Sequence, residues 1–455
     1  AQTTNNNSGS LKVQRATSLI RRGDVTIWSA PVADQNLLVF SPETLTNRFF
    51  QHNESTNLFT NIDPTVSIFA VGKGIGIRAR NTLLSTDPME NWLGTFTGVP
   101  NNGDYSFPVA KTPNPSQDPD EYDPTGFNMI GNPYPSALNL LNFYNENNML
   151  IQNKFYLYEH TLPSNISSGD VSKTNYGVLT VGNPSIYAPA TQTDLSNPAD
   201  IDPYTPVIQA GQGFFVRALS NGNVTFKNTM RENTSGNFFR ANQVASNALD
   251  MFRLKLTAPD QFSNQAVIGF FETTSDGYDA TDTKGFNGSP LYSILENDKF
   301  IIQARAYPLE QSTVIPIGFH SGVSGAHTLA LHQPEGIFVE NQYVLLHDLL
   351  LGVYHNLSIS PYTFEVSTGT HDNRFQVLFS EVLSNENPSF DAQQLIAFSQ
   401  ENEINIQLKG DALMQKISLY DLSGRLVYEA KDVQSNQLKI KNLTPTNTVL
   451  MVQVV

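Results

Sequence analysis

The chain has 455 residues, 39% of them hydrophobic and 15% charged, with no cysteine and a formal net charge of -15 at pH 7. That length can bury a large core without disulfides or metals, and the missing cysteines exclude thiol nucleophiles, disulfide scaffolds, zinc ribbons and lipid attachment through a terminal Cys. The acidic balance excludes nucleic-acid binding, which needs a basic face that releases counterions, and no apolar run is long enough to span a bilayer as a helix.

The N-terminal stretch AQTTNNNSGSLKVQR lacks a signal-peptide core, so the chain reads as a mature protein or as a fragment of a longer one. Arg22-Gly23-Asp24 leads directly into the strand candidate VTIWSAPV, which makes Asp24 a turn residue rather than part of an adhesion tripeptide. Two segments then repeat a pattern: VGKGIGIRAR at Val71 to Arg80 and AGQGFFVRAL at Ala210 to Leu219. Each follows a proline-containing segment, TIWSAPVADQNLLVF in one case and NMIGNPYPSALNLLNF in the other, and each precedes a further strand candidate, GTFTGV or NVTFKN. The glycines at 72, 74 and 76 run on into a strand rather than opening a helix, so they mark a strand entry and not a phosphate cradle. Residues 1–245 therefore read as one β-rich domain with an internal duplication. Helical pattern is scarce, the best case being PSALNLLNFYNENNML, with Ser136 as cap and Leu138, Leu140 and Leu141 turned inward.

Residues 246–382 change texture. FRLKLTA, FIIQARAYP, HTLALHQ and RFQVLFS alternate or are rich in β-branched and aromatic residues, and about eight to nine strands at this spacing predict a β-sandwich. Residues 383–391 read as a linker and 392–455 as a small module. The fold class expected is all-β: tandem β-sandwich domains followed by a small Ig-like β-sandwich.

Local catalytic signatures are missing, with no HExxH and no Gly-x-Ser-x-Gly, while a site assembled from distant residues leaves no trace in spacing. Two acidic loops could hold calcium: SQDPDEYDPTG, with Asp118, Asp120, Glu121 and Asp123, and TSDGYDATDTKG, with Asp276, Asp279 and Asp282. Asp is equally a turn former. Trp28, Trp92 and Tyr134 could face a glycan, with core burial as the competing reading.

The last segment, INIQLKGDALMQKISLYDLSGRLVYEAKDVQSNQLKIKNLTPTNTVLMVQVV, resembles the C-terminal sorting domains of Bacteroidetes type IX secretion cargo. A strand ending in Tyr-Asp-x-x-Gly-Arg is matched by Tyr420, Asp421, Gly424 and Arg425. An x-x-Leu turn is matched by Leu438 to Leu443, and an apolar strand by Val449 to Val454. Upstream segments such as FNMIGNPYPSALN and THDNRFQVLF resemble large flavobacterial surface proteins with the type C signal. In that family the chain runs on into a further strand and a basic end, so a last strand is expected beyond Val455. The resemblance implies a non-enzymatic protein exported across the outer membrane to the cell surface or medium. Its C-terminal domain would be read by the translocon and an outer-membrane shuttle protein, with the four hairpin residues as partner contacts. The front domains would form a stalk or an adhesin-like scaffold. The alternatives are the anchor-proximal part of a secreted hydrolase, or a glycan-binding module. No cofactor is expected, with calcium at Asp276, Asp279 and Asp282 as the one metal reading.

Overall fold

The computed structural model describes residues 3–84, 86–114, 123–160, 176–193, 206–234, 249–285, 290–381, 395–400, 403–408, 413–420, 425–441 and 451–454. The protein is all-β and forms two compact units, Ala1–Val382 and Leu383–Val455.

The first unit opens with β1 (Leu11–Ile20), β2 (Val25–Trp28), the single-turn helix α1 (Leu37–Phe40), β3 (Phe49–Asn53), β4 (Leu58–Asn61), β5 (Ile75–Arg78) and β6 (Glu90–Gly98). There follow β7 (Tyr105–Val109), β8 (Phe127–Gly131), β9 (Ala137–Asn139), α2 (Leu140–Asn147), β10 (Ile151–Tyr158), β11 (Tyr176–Thr180), β12 (Ile186–Ala188), β13 (Gln192–Thr193), β14 (Val207–Ile208), β15 (Gly213–Ala218), β16 (Gly222–Phe226) and β17 (Arg231–Glu232).

Two runs of this chain share one topology. In the first, β1 pairs with β6, and a second sheet has the order β2-β5-β3-β4; in the second, β7 pairs with β16, and the sheet order is β12-β11-β10-β15-β8. The registers correspond as well: Val25 lies opposite Arg78, and Phe127 lies opposite Arg217. Helix α1 is capped by the side chain of Asn36, which accepts from Val39 N, and α2 by Asn139, which accepts from Asn142 N. Phe40 stacks on Phe96 at 4.3 Å between ring centroids, as Phe143 stacks on Phe226 at 4.7 Å.

The cap of α2 is therefore Asn139 and not Ser136, and Leu138 belongs to β9. A proline-rich turn delays the helix until an Asx side chain reaches the free N–H groups of its first turn. Asn36 does more than cap: its Nδ2 also donates to the carbonyls of Pro64, Thr65 and Ser67. Asn36→Ala is expected to cost about 2 kcal/mol, the top of the range for cap loss, read as a drop in melting temperature.

The repeated Gly-x-Gly has two separate reasons. Gly72 and Gly211, the first of each pair, sit at φ +78° and +84°, where a Cβ is strained. The second, Gly74, lies where the two runs touch, and a Cβ there would come within 2.8 Å of the Ile130 carbonyl oxygen. The contact is reciprocal: Ser29 N donates to Gly211 O at 3.0 Å, and Gly131 N donates to Gly72 O at 3.0 Å. Each run thus docks its glycine turn on the other's second strand. Asp24, after Arg22-Gly23, is buried in a turn and accepts from Arg21 N at 2.7 Å.

The rest of the unit is β18 (Met251–Thr257), β19 (Phe262–Phe271), β20 (Thr283–Lys284), β21 (Leu291–Leu295), β22 (Asp298–Ala306), β23 (Ile315–Ser321), β24 (Gly325–His332), α3 (Ile337–Glu340), β25 (Gln342–Asp348), β26 (Val353–Asn356), β27 (Tyr362–Val366) and β28 (Gly369–Glu381). They form one large sheet with the main path β26-β25-β28-β23-β21-β22-β19-β18-β24-β27. One face closes over its own core, to which Phe375, Val377 and Phe379 contribute as the alternation in RFQVLFS predicts. The other face carries Met251, Val267, Ile302 and Ala304 and packs against Phe127, Tyr156, Val178 and Phe215 of the second repeat. Strand β13 adds to the edge of β19 through Gln192 opposite Ser263. This double burial explains why β19 is buried almost throughout, and why its second half, Ala266 to Phe271, is apolar without alternation.

Candidate functional site

The C-terminal unit contains β29 (Leu395–Gln400), β30 (Glu403–Leu408), β31 (Met414–Tyr420), β32 (Leu426–Ser435), β33 (Gln437–Ile440) and β34 (Met451–Val454). They make two three-stranded sheets, β29-β30-β33 and β32-β31-β34. Ile406, Leu408, Met414, Ile417, Leu419 and Ile440 fill the space between them, so this unit has its own core. Strands β31 and β32 pair antiparallel, and the Tyr-Asp-x-x-Gly-Arg motif spans the sequence that joins them. Tyr420 ends β31, lies opposite Leu426 and Met451, and donates its hydroxyl to Gln453 Oε1 at 3.3 Å. Arg425 is exposed just before β32. Asp421 and Gly424 lie outside the described residues. Among the described residues β34 is the outer strand of its sheet, so one row of its backbone groups faces away from the ladder with β31. An edge of this kind can take another strand by main-chain pairing.

Of the first acidic loop, Asp118, Asp120 and Glu121 lie outside the described residues. Asp123 meets Lys111 Nζ at 2.5 Å and Arg217 Nη2 at 2.7 Å, and it stays ionised down to a pKa of about 2, where hydrogen bonds and cations outweigh its desolvation. In the second loop, Asp276 accepts from Arg305 Nε at 2.9 Å. Asp279 accepts from Ser275 N and Thr281 N, and Asp282 from Asp279 N and Ala304 N. Among the described residues no three His, Asp or Glu side chains form a cluster that could hold a metal ion. The cation facing Asp279 and Asp282 is the Lys154 ammonium, which donates to Ala280 O at 3.2 Å. Burial pulls Lys154 down to about 8 and pushes Asp282 up to about 6. Lys154 left no sign in the sequence, because it lies more than a hundred residues from the loop it neutralises.

Trp28 and Tyr134 are fully buried, which leaves Trp92 as the one of the three expected aromatics that reaches the surface. It lines a groove of about 610 Å³ between α1 and β6, together with Asp34, Val39, Leu93 and Thr95. Spacing also concealed a serine–histidine pair, Ser18 Oγ at 2.8 Å from His160 Nδ1. The other ring nitrogen, Nε2, lies 3.0 Å from the Val25 carbonyl, which makes Nε2 the protonated one and Nδ1 the acceptor for Ser18. Burial lowers the His160 pKa and favours the neutral ring.

The family described as "Domain of unknown function (DUF8693)" matches residues 1–379. The chain belongs to the DUF8693 family. A second description, "Domain of unknown function (DUF8694)", matches residues 383–455. The two matches meet where the DUF8693 unit gives way to the C-terminal one. Comparison with curated proteins and with solved structures found no significant match.

Proposed function

We propose that this DUF8693 protein is a non-enzymatic secreted or cell-surface protein exported by the type IX secretion system. The C-terminal unit serves as the secretion signal read by the translocon and the shuttle protein, and the front unit is a stalk or adhesin-like scaffold. The observation that carries this reading is the C-terminal unit itself: a compact β body with its own core, and a hairpin whose sequence resembles the sorting-domain motif. Recognition would use the Tyr420 to Arg425 motif and the β34 edge, neither of which needs catalytic groups. A surface glycan would lie along the groove beside Trp92, stacking on the half-buried indole.

Deleting 392–455 and following the protein in a producing cell tests the assignment. The shortened chain is expected to accumulate in the periplasm with its front unit folded, and arrival at the cell surface or in the medium would refute it.

A second reading, a hydrolase site assembled across the first unit, draws on Ser18 and His160, since a serine hydroxyl donating to a neutral imidazole is the arrangement nucleophile activation requires. Covalent labelling by a fluorophosphonate that is lost in Ser18→Ala would favour it over the scaffold reading.

A further inference from the structure

The duplication places Arg78 of β5 and Arg217 of β15 in the same register, opposite Val25 and Phe127. Arg217 has an internal counter-ion. Its Nη2 lies 2.7 Å from Asp123 Oδ2, and its Nε donates to the Thr125 carbonyl at 3.1 Å. Arg78 keeps the backbone half of that arrangement, its Nε donating to the Arg22 carbonyl at 3.1 Å. The carboxylate half is not there: among the described residues no Asp or Glu comes within ion-pair distance of Arg22, Arg48 or Arg78, whereas neighbouring Arg80 has both Glu43 and Glu90.

Cations take that space instead. Phe49 is paired with Ile77 at the end of the β3–β5 ladder, and Arg48 and Arg78 are the residues that flank this terminal pair. The charges of Arg48 and Arg22 add to burial in lowering the Arg78 pKa, and Asp24 alone opposes them. Arg48 Nε is buried without a hydrogen-bond partner. The remaining contacts are long, Arg48 Nη1 to the Asn47 carbonyl at 3.3 Å and Arg22 Nη2 to Asn81 Oδ1 at 3.4 Å. Like charges on adjacent strands oppose folding, and a chain of net charge -15 has carboxylates to spare. Gathering three guanidinium groups without one leaves planar donor forks suited to an external oxyanion.

We propose that Arg22, Arg48 and Arg78 form a binding site for a divalent tetrahedral oxyanion, the sulfate or phosphate group of a ligand, which takes the place that Asp123 holds in the second repeat. Three positive charges set against Asp24 leave two to be neutralised, hence a dianion. The site belongs to the front unit and stands independently of the export reading.

The test uses the full chain, with inorganic sulfate and inorganic phosphate as probes against chloride at matched ionic strength, followed by thermal melting and titration calorimetry. Saturable stabilisation by sulfate at both pH 5.5 and pH 7.5 is expected, and by phosphate more strongly at pH 7.5, where it is the dianion. Arg78→Met should abolish the saturable shift, while Arg217→Met should lower the melting temperature and retain it. Should Arg78→Met not fold, Arg48→Gln decides, with sulfate affinity expected to fall about tenfold or more for the loss of a charged hydrogen bond. Stabilisation no greater than that by chloride, or a saturable shift that survives in Arg78→Met or in Arg48→Gln, overturns the proposal. Comparing a sulfated with a phosphorylated oligosaccharide then separates the two sources of the group.

Discussion

Arg374→Met is expected to destabilise the front unit by about 3–5 kcal/mol, the usual cost of leaving a buried charge without its partner. Arg374 lies in β28 and meets Asp348 of β25, with Nη2 2.9 Å from Oδ2. Asp348 is only 1% exposed. Its carboxylate also accepts from Leu350 N at 3.0 Å, and against desolvation the hydrogen bonds from Arg374, from Tyr362 Oη at 3.0 Å and from Leu351 N hold its pKa low. Tyr362 belongs to β27, and Arg374 Nη1 donates to the Glu365 carbonyl of the same strand at 2.8 Å. In the sheet path β27 is at one end, and β25 and β28 are near the other. The ion pair therefore ties the two ends of a curled sheet together, with the guanidinium over the rings of Phe364 and Phe375 at 4.7 and 5.0 Å. Melting curves of Arg374→Met, Asp348→Asn and the double variant check this. The double variant should recover much of the loss, because no charge is left stranded; an Arg374→Met protein that melts like the parent would show that the closure does not depend on the pair.

Lys154→Met is expected to lower stability by about 1–2 kcal/mol near pH 7.5, the scale of a charge interaction acting beyond ion-pair distance, and by little below about pH 4, where Asp282 carries its own proton in both the folded and the unfolded chain. The signs follow from the two shifts. Asp282 is raised to about 6 in the folded chain, so its contribution is full below the ordinary carboxylate range near 4 and is lost as pH rises to about 6. Lys154 is lowered to about 8, so its contribution is present above the ordinary lysine range near 10.4 and is lost as pH falls to about 8. Between these limits both groups are ionised and buried, each tolerated because of the other. Removing Lys154 leaves Asp282 to protonate or to strain the fold, so the melting temperatures of parent and variant should converge as the solution is acidified. A gap unchanged from pH 7.5 to 4 would refute the coupling.

Much of the strand pattern was legible. Phe375, Val377 and Phe379 alternate because one face of β28 meets the core, and that periodicity is local. Glycine carried as much information: Gly72 and Gly211 recur because each turn needs a positive φ, a requirement that is local to the turn. The start of α2 was misplaced because Ser and Asn are both good caps, and the choice between Ser136 and Asn139 depends on where β9 ends. The candidate residues fared less evenly. Tyr420 and Arg425 stand out by a local motif, whereas Lys154, His160 and Arg48 are ordinary letters until the fold brings each to its partner.

By itself, then, the amino-acid order determined the all-β character and the two glycine turns, since each depends on neighbours a few residues apart. Only the tertiary structure decided which charges meet. Asp348 faces Arg374 because the sheet curls on itself, and Lys154 faces Asp282 because two long segments pack face to face. Arg78 is left among cations while its twin Arg217 has Asp123. Electrostatic partners are fixed by distance in space, and the sequence encodes that distance only through the whole fold.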